Sequence, residues 1–122
     1  SELQSRRDIV CRLLLDKKEL SEGVALGKKS NLNMTKVLDA ISGGAAQSWQ
    51  MDNRFKTMVN GEFDFGFAVD LMIKDLKIAL NHSKGLGIQL PATKFVLQNY
   101  KKLSTLGDGQ LDTSSLIKLL DK

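Results

Sequence analysis

The central stretch of the chain mixes apolar and charged positions with a helical period. At about 100° per residue, one stripe contains Phe67, Leu71, Lys74 and Ile78, with Asp75 at its flank. The broader opposite face consists of apolar or small residues: Val69, Met72, Ile73, Leu76, Ala79, Leu80 and Ser83. The pattern predicts a helix with the protein core on one side and a polar site on the other.

The charges of Lys74 and Asp75 allow two interpretations. Burying them without partners would cost several kcal/mol, so the pair should border a wet cleft or meet a partner. The simpler interpretation is that Lys74 extends from a buried helix into water and that Asp75 is its solvated neighbour. Periodicity alone leaves both interpretations open.

Apolar residues recur at helical spacing along the rest of the chain, and turn residues separate the runs. We expect helices over about 7–29, 34–42, 48–59, 67–84 and 92–104, and a short last helix that Asp112 caps. Asn33 is the expected N-cap of the second helix, with Leu32 and Val37 placed to form a hydrophobic staple. Six helices and no convincing strand predict an all-α bundle.

Some apolar side chains of these helices are expected to be buried. Val37, Leu38 and Ile41 should face the core from the second helix, and Trp49 and Phe55 should be at least partly buried in the third. Gly85-Leu86-Gly87 is only a fragment of a dinucleotide-binding GxGxxG motif and follows a helix instead of a strand. We therefore interpret it as a helix end and turn.

Composition limits the classes of protein that fit. The 122 residues suffice for about one domain, and the net charge of +4 comes from scattered Lys and Arg, with no stretch dense enough to bind nucleic acid. A lone cysteine, Cys11, and a lone histidine, His82, predict a cytoplasmic protein without a disulfide or a metal site. No apolar run approaches the roughly 18 residues of a membrane span, and the first residues lack a signal core. Neither membrane insertion nor secretion is expected.

Several short segments together resemble a known family. They are Ser21-Glu22-Gly23, Gly44-Ala45-Ala46-Gln47-Ser48-Trp49, Phe63-Asp64-Phe65-Gly66-Phe67, Lys74-Asp75-Leu76 and Asp112-Thr113-Ser114. In order and spacing they resemble the C-terminal helical domain of the 3-hydroxyacid dehydrogenase family, which includes 3-hydroxyisobutyrate dehydrogenase and tartronate semialdehyde (2-hydroxy-3-oxopropionate) reductase. The implied fold is similar to the C-terminal domain of 6-phosphogluconate dehydrogenase. Lys74-Asp75-Leu76 is similar to the start of the family's KDLGxAxD motif, although Lys77 and Asn81 replace its glycine and final aspartate.

The resemblance implies roles for three residues. In the family, a Rossmann domain holds NAD or NADP, and the helical domain closes the cleft and forms much of the dimer interface. By resemblance, Lys74 would contact the cofactor, Asp75 would orient Lys74 or the substrate, and Phe67 would line the pocket for a small 3-hydroxy acid. The predicted helical stripe puts these residues on one side.

The N-terminal region departs from the family pattern. Arg6 stands where the family has its catalytic lysine, and Ile9 stands where it usually has an asparagine. An arginine stays protonated, so it could bind a carboxylate but would be a poor proton shuttle. The sequence also lacks a βαβ pattern and a complete glycine fingerprint, so no Rossmann domain is expected within it.

We therefore expect residues 1–122 to form the helical substrate and dimerisation domain of such a dehydrogenase. The domain should be inactive alone, should not bind the cofactor tightly alone, and should form a homodimer, because its apolar helices would otherwise remain uncovered. The alternative is a stand-alone helical protein-interaction module, which would be a monomer with a clustered positive patch and no cleft at Lys74. A nucleic-acid binder is a third possibility, but no helix is dense enough in Arg and Lys.

Overall fold

The computed structural model describes residues 17–45 and 47–120, and their side chains from residue 20 onward. The described chain forms five α-helices: α1 (Lys17–Lys29), α2 (Met34–Ile41), α3 (Trp49–Asn60), α4 (Val69–Leu86) and α5 (Pro91–Leu103). A π-helical segment, Ser104–Asp108, and a 3-10 helix, Thr113–Leu120, follow α5. The described residues contain no strand, only an isolated bridge between Ala68 and Asp112. The all-α prediction is confirmed.

The core consists of two apolar clusters. The first unites α1, α2 and α3 with the loop after α3, through Val24, Leu38, Met51, Phe55, Met58 and Phe63. The second lies between α4 and α5 and contains Val69, Met72, Leu76, Leu97, Tyr100 and Leu103. Two neighbouring residues of the 3-10 helix join the halves, since Ile117 belongs to the first cluster and Leu116 to the second. The C-terminal 3-10 helix therefore connects the two clusters.

Local signals set most of the helix ends. The side chains of Asn33 and Ser48 accept hydrogen bonds from the N–H groups of the first turns of α2 and α3. Gly61 and Gly87 end α3 and α4 in the left-handed conformation that glycine adopts without a steric penalty. The predicted N-cap at Asn33 is confirmed, and Gly85-Leu86-Gly87 lies at a helix end as expected.

The burial predictions hold with two exceptions. Leu38 and Phe55 are buried, and Val37 packs against the first cluster. Trp49 is 54% exposed, because it is the first residue of α3 and lies outside the first cluster, so the prediction that it is buried in part is wrong. Ile41 is 39% exposed, because it lies at the end of the short helix α2 and the described residues do not bury it. The prediction that Ile41 faces the core is therefore wrong.

One helix boundary differs from the predictions, and one element was not predicted. The central helix begins at Val69 instead of residue 67, and the sequence did not indicate the π-helical segment after α5. The predicted start of the first helix near residue 7 lies outside the described residues. None of the helices among the described residues has the length and apolar character needed to cross a membrane.

Candidate functional site

The outer side of α4 presents Lys74 between two exposed apolar side chains. Leu71 and Ile78 are 46% and 49% exposed, Lys74 is also exposed, and Asp75 is half-buried at the flank. The opposite side is the buried one, with Val69, Met72, Leu76 and Ser83 in the interior. The predicted division of this helix into a core face and a polar face is confirmed for the residues from Val69 onward.

Phe67 does not lie on the helical stripe. It precedes α4 in the loop that follows α3, and its half-buried ring packs against the second apolar cluster. Its backbone is held on both sides, because its N–H donates to Asp112 Oδ1 at 2.9 Å and its carbonyl accepts from the N–H of Thr113 at 2.9 Å. The predicted position of Phe67 within the helix is wrong, since these two contacts draw its backbone toward the C-terminal segment.

The start of α4 is fixed by distant backbone groups. Its N-cap residue, Ala68, makes no side-chain capping bond. Instead, the N–H groups of Val69 and Asp70 donate to the carbonyls of Leu111 and Gly109, each at 2.9 Å. These bonds satisfy N–H groups that a helix start otherwise leaves without partners. The segment before the 3-10 helix thereby sets where α4, and with it Lys74, begins.

Asp112 is the centre of this arrangement. Its side chain is 1% exposed and receives hydrogen bonds from Arg54 Nε at 3.0 Å, from the N–H of Ser114 at 3.0 Å and from the Ser114 hydroxyl. Burial alone would raise the pKa of Asp112, but the hydrogen bonds from Ser114 and Phe67 and the charge of Arg54 outweigh it and lower that pKa. Asp112 caps the 3-10 helix, as predicted, and also ties α3 to the loop that leads into α4.

Arg54 extends the arrangement to the surface. Its guanidinium lies over the ring of Trp49 at 4.8 Å and over the ring of Phe65 at 4.9 Å, measured to the ring centroids. Such cation–π contacts hold the planar guanidinium in one orientation while Nε binds Asp112. Arg54 was not predicted from the sequence, because its partner lies 58 positions away and no local pattern marks the pair.

The structure brings Lys74 and Asp75 together on one helix and places Phe67 in the loop before that helix. Arg6 stands at the position of the family's catalytic lysine, and Ile9 stands where the family usually has an asparagine. Both lie outside the described residues. Within the described part of the chain, no group of three or more His, Cys, Asp or Glu is arranged to hold a metal ion. The chemistry of this face is therefore that of a protonated amine beside a carboxylate, flanked by apolar side chains.

This face offers some, but not all, of the contacts that a dinucleotide cofactor needs. The exposed ammonium of Lys74 can donate to phosphate, hydroxyl or carboxamide oxygens, and Leu71 and Ile78 can contact an apolar ring face. None of the described residues forms a glycine-rich turn between a strand and a helix, which is the element that binds a pyrophosphate in Rossmann domains. This face can therefore supply only part of a cofactor site.

Comparison with known proteins gives consistent matches. The sequence family described as "NAD-binding of NADP-dependent 3-hydroxyisobutyrate dehydrogenase" matches residues 18–120. An uncharacterized oxidoreductase of Shewanella frigidimarina is 48% identical over 103 residues, which are 84% of this chain and 35% of that protein. A probable 3-hydroxyisobutyrate dehydrogenase-like protein of Arabidopsis thaliana, described as mitochondrial, is 37% identical over 103 residues, 84% of this chain and 31% of its own length.

The fold also matches a solved enzyme. The crystal structure of 3-hydroxyisobutyrate dehydrogenase from Salmonella typhimurium superposes with a TM-score of 0.83 at 28% identity, covering 93% of this chain and 41% of that one. The chain thus spans about a third of the length of the curated relatives that it matches. Because the family match includes nearly all described residues, the chain belongs to the family of NAD-binding domains of NADP-dependent 3-hydroxyisobutyrate dehydrogenases.

Proposed function

We propose that this chain is the helical part of an NAD(P)-dependent oxidoreductase that acts on a small 3-hydroxy acid, of the 3-hydroxyisobutyrate or tartronate semialdehyde/glycerate type. The observation that carries the proposal is the position of Lys74 and Asp75 on the outer side of α4, opposite its buried face. This position leaves the Lys74 ammonium accessible to a bound molecule. The family to which the chain belongs supports the redox chemistry.

Each site residue has a proposed task. Lys74 donates hydrogen bonds to the cofactor, Asp75 orients the Lys74 ammonium or a substrate hydroxyl, and Phe67 forms an apolar wall of the substrate pocket. When bound, the nicotinamide cofactor accepts or returns a hydride at the hydroxyl-bearing carbon of the substrate. The two backbone hydrogen bonds that hold Phe67 support its role, because a pocket wall must stay in place when the substrate is absent.

No catalytic role is proposed for Arg6, which stands at the position of the family lysine. An arginine remains protonated at working pH, so it is able to bind a carboxylate but is a poor proton shuttle. We expect this chain alone to be inactive. Its lysine position holds an arginine, and its face on α4 supplies only part of a cofactor site. We also propose that it forms a homodimer in the cytoplasm, the dimer being supported by its exposed apolar residues and the location by its single cysteine.

The test begins with the gene upstream of the codon for Ser1. If it encodes a strand, a GxGxxG turn and a helix in the same frame, the complete product should be assayed with 3-hydroxyisobutyrate and glycerate. Both NAD and NADP should be supplied. Lys74→Met should then lower kcat/KM about tenfold or more, since it removes a charged hydrogen-bond donor from the cofactor.

Lys84→Met is the matched control, because Lys84 is also exposed on α4 but lies in the last turn of that helix, outside the segment from Lys74 to Asn81 that is similar to the family motif. It should leave kcat/KM within about twofold, as expected for a surface substitution. Equal losses in the two variants would contradict the proposed role of Lys74. An upstream sequence without a cofactor domain would contradict the dehydrogenase proposal and favour the interaction module.

A further inference from the structure

The turn between α4 and α5 carries two apolar side chains that the rest of the described chain leaves uncovered. Leu86 is the last residue of α4 and is 61% exposed, and Ile88, which lies in the turn, is 55% exposed. At the rise of an α-helix, Leu86 lies about 18 Å further along α4 than Lys74. This surface is therefore separate from the face that carries Lys74.

Hydrogen bonds hold the backbone of this turn in place. The N–H groups of Gly87 and Ile88 donate to the carbonyls of Lys84 and Ser83, at 3.2 and 3.1 Å. Pro91, which has no N–H group, begins α5. Because these polar groups have partners within the chain, the turn can leave water without leaving them unpaired. The two apolar side chains are thus presented on a fixed turn.

The positive charge in the hairpin of α4 and α5 is not balanced by acidic residues. Residues 76–107 include no Asp or Glu. Their lysines are exposed, and in the part of the chain that the structure describes none of them forms an ion pair. These lysines are Lys77, Lys84, Lys94, Lys101 and Lys102. Their charge is therefore available to an anionic partner.

Four of these lysines lie on one side of the hairpin. Residues 87–90 join α4 and α5, which pack against each other in the second cluster and therefore run in opposite directions. Lys77 follows the buried Leu76 by one residue, and so by about 100° of rotation. Lys101 follows the buried Tyr100 in the same way. In two antiparallel helices that face each other, equal rotations point to the same side of the pair, and each of these lysines has a second one seven positions nearer the turn.

From these features we propose that the turn and the basic side of the hairpin dock on an anionic lipid surface. Leu86 and Ile88 enter the headgroup region. Lys84 and Lys94, which lie next to the turn, bind phosphate and carboxylate groups of the lipids. Lys77 is about 10 Å from Lys84 along the helix, which is about one Debye length at roughly 0.1 M salt, so the lysines far from the turn contribute less.

An acidic protein is a less suitable partner for this surface. Lysine is depleted in interfaces between proteins, where arginine is enriched, and residues 76–107 contain no arginine. Lysine beside exposed apolar side chains instead suits the boundary between lipid headgroups and acyl chains. The composition of the hairpin therefore favours a lipid surface.

Cosedimentation of the 122-residue chain with lipid vesicles tests the proposal. The vesicles consist of phosphatidylcholine alone or of phosphatidylcholine with about one third phosphatidylserine. Binding to the anionic vesicles should be at least about tenfold tighter at roughly 0.1 M salt, and it should weaken as the salt concentration rises. Equal binding to both kinds of vesicle would overturn the proposal. Binding to polyglutamate without binding to anionic vesicles would also overturn it, and would indicate an acidic protein partner.

Ile88→Ser tests the apolar contact. It should weaken binding to the anionic vesicles about fivefold or more, because it removes apolar area that leaves water on binding. Leu32→Ser is the matched control, since Leu32 is also 55% exposed but lies between α1 and α2. The control should leave binding within about twofold. Circular dichroism verifies that both variants fold, and equal losses in the folded variants would contradict the contact at the turn.

Lys94→Gln tests the charge contact. It should weaken binding to the anionic vesicles about fivefold at low salt, whereas Lys36→Gln on α2 should leave it nearly unchanged. Lys36 is also exposed and forms no ion pair within the described ranges. The dehydrogenase assay contains no lipid, so Lys84→Met remains a control there. Equal losses in Lys94→Gln and Lys36→Gln would overturn the assignment of the basic side.

Discussion

Asp112 is the residue on which the geometry of the candidate site depends most. One carboxylate oxygen accepts the N–H of Phe67, and the other accepts from Arg54 and from two groups of Ser114. In Asp112→Asn, one of these oxygens becomes an NH₂ group that faces donors. We expect the free energy of unfolding to fall by about 2–4 kcal/mol, because the Arg54 charge also loses its partner.

Urea unfolding followed by circular dichroism measures this loss, and Asp108→Asn is its matched control. Asp108 also pairs with a cation, Lys118, but Lys118 is 42% exposed, so the control should cost about 1 kcal/mol or less. A loss in Asp112→Asn no larger than in Asp108→Asn would contradict the central position given to Asp112.

Tyr100 allows a second prediction at the same scale. It is the single tyrosine of the chain, it is buried, and its hydroxyl donates to the carbonyl of Thr113 at 3.2 Å. Burial, with the negative charge of Asp112 as a smaller cause, raises the pKa of Tyr100 well above its ordinary value. The near-ultraviolet absorbance of tyrosinate should therefore stay absent in the folded protein at a pH about one unit above 10.

The same pKa shift determines how stability depends on alkaline pH. In concentrated urea, Tyr100 should ionise near its ordinary pKa of about 10. Above that pH the folded state holds a proton that the unfolded state has lost, so the free energy of unfolding should decrease as pH rises. Ionisation near pH 10 in the folded chain would show that Tyr100 is not enclosed as described.

The loop between α3 and α4 connects Asp112 to the candidate site, because Asp112 binds the backbone of Phe67 in this loop. Gly66 lies in it at φ +76°, and a Cβ there would come within 2.8 Å of Arg54 Nη2 and would overlap the Asp112 carboxylate. Gly66→Ala should cost about 3 kcal/mol of unfolding free energy, from backbone strain and displacement of this ion pair. Thermal and urea unfolding would measure it.

Gly87→Ala separates the two contributions. Gly87 has a similar backbone angle, φ +70°, but a Cβ there would meet no other atom within 4 Å. This variant carries only the strain of the left-handed conformation, about 1 kcal/mol. Similar losses at the two glycines would show that the contact with Asp112 adds nothing.

The helices could be predicted where nearby residues determine their ends and their buried faces. The way in which the helices pack against one another could not be predicted. The core face of α4 follows from periodicity, and the ends of α2 and α3 follow from Asn33 and from Gly61. The start of α4 depends on carbonyls about 40 positions later in the chain, and no pattern around Phe67 encodes them. The Arg54–Asp112 pair is missed for the same reason, because it exists only after α3 and the 3-10 helix have packed.

At the scale of the whole molecule, the two apolar clusters do not cover all of the large apolar side chains. Among the described residues, twelve such side chains are exposed, including Leu71 and Ile78 on α4 and Phe95 on α5. Single exposed residues are ordinary, but this number on a small bundle favours a further partner surface. A second copy of the chain would cover part of it in a two-fold arrangement.

The mass in solution tests this expectation. Size-exclusion chromatography with light scattering should give about twice the chain mass of 13.5 kDa at micromolar concentration, and the value should fall toward one chain on dilution. Raising the salt concentration should leave the dimer intact, because salt does not screen apolar contacts. A complex in which the net charge of +4 attracts an acidic contaminant would instead dissociate. A mass of 13.5 kDa at every concentration would contradict the homodimer and agree with the interaction-module alternative, which predicts a monomer.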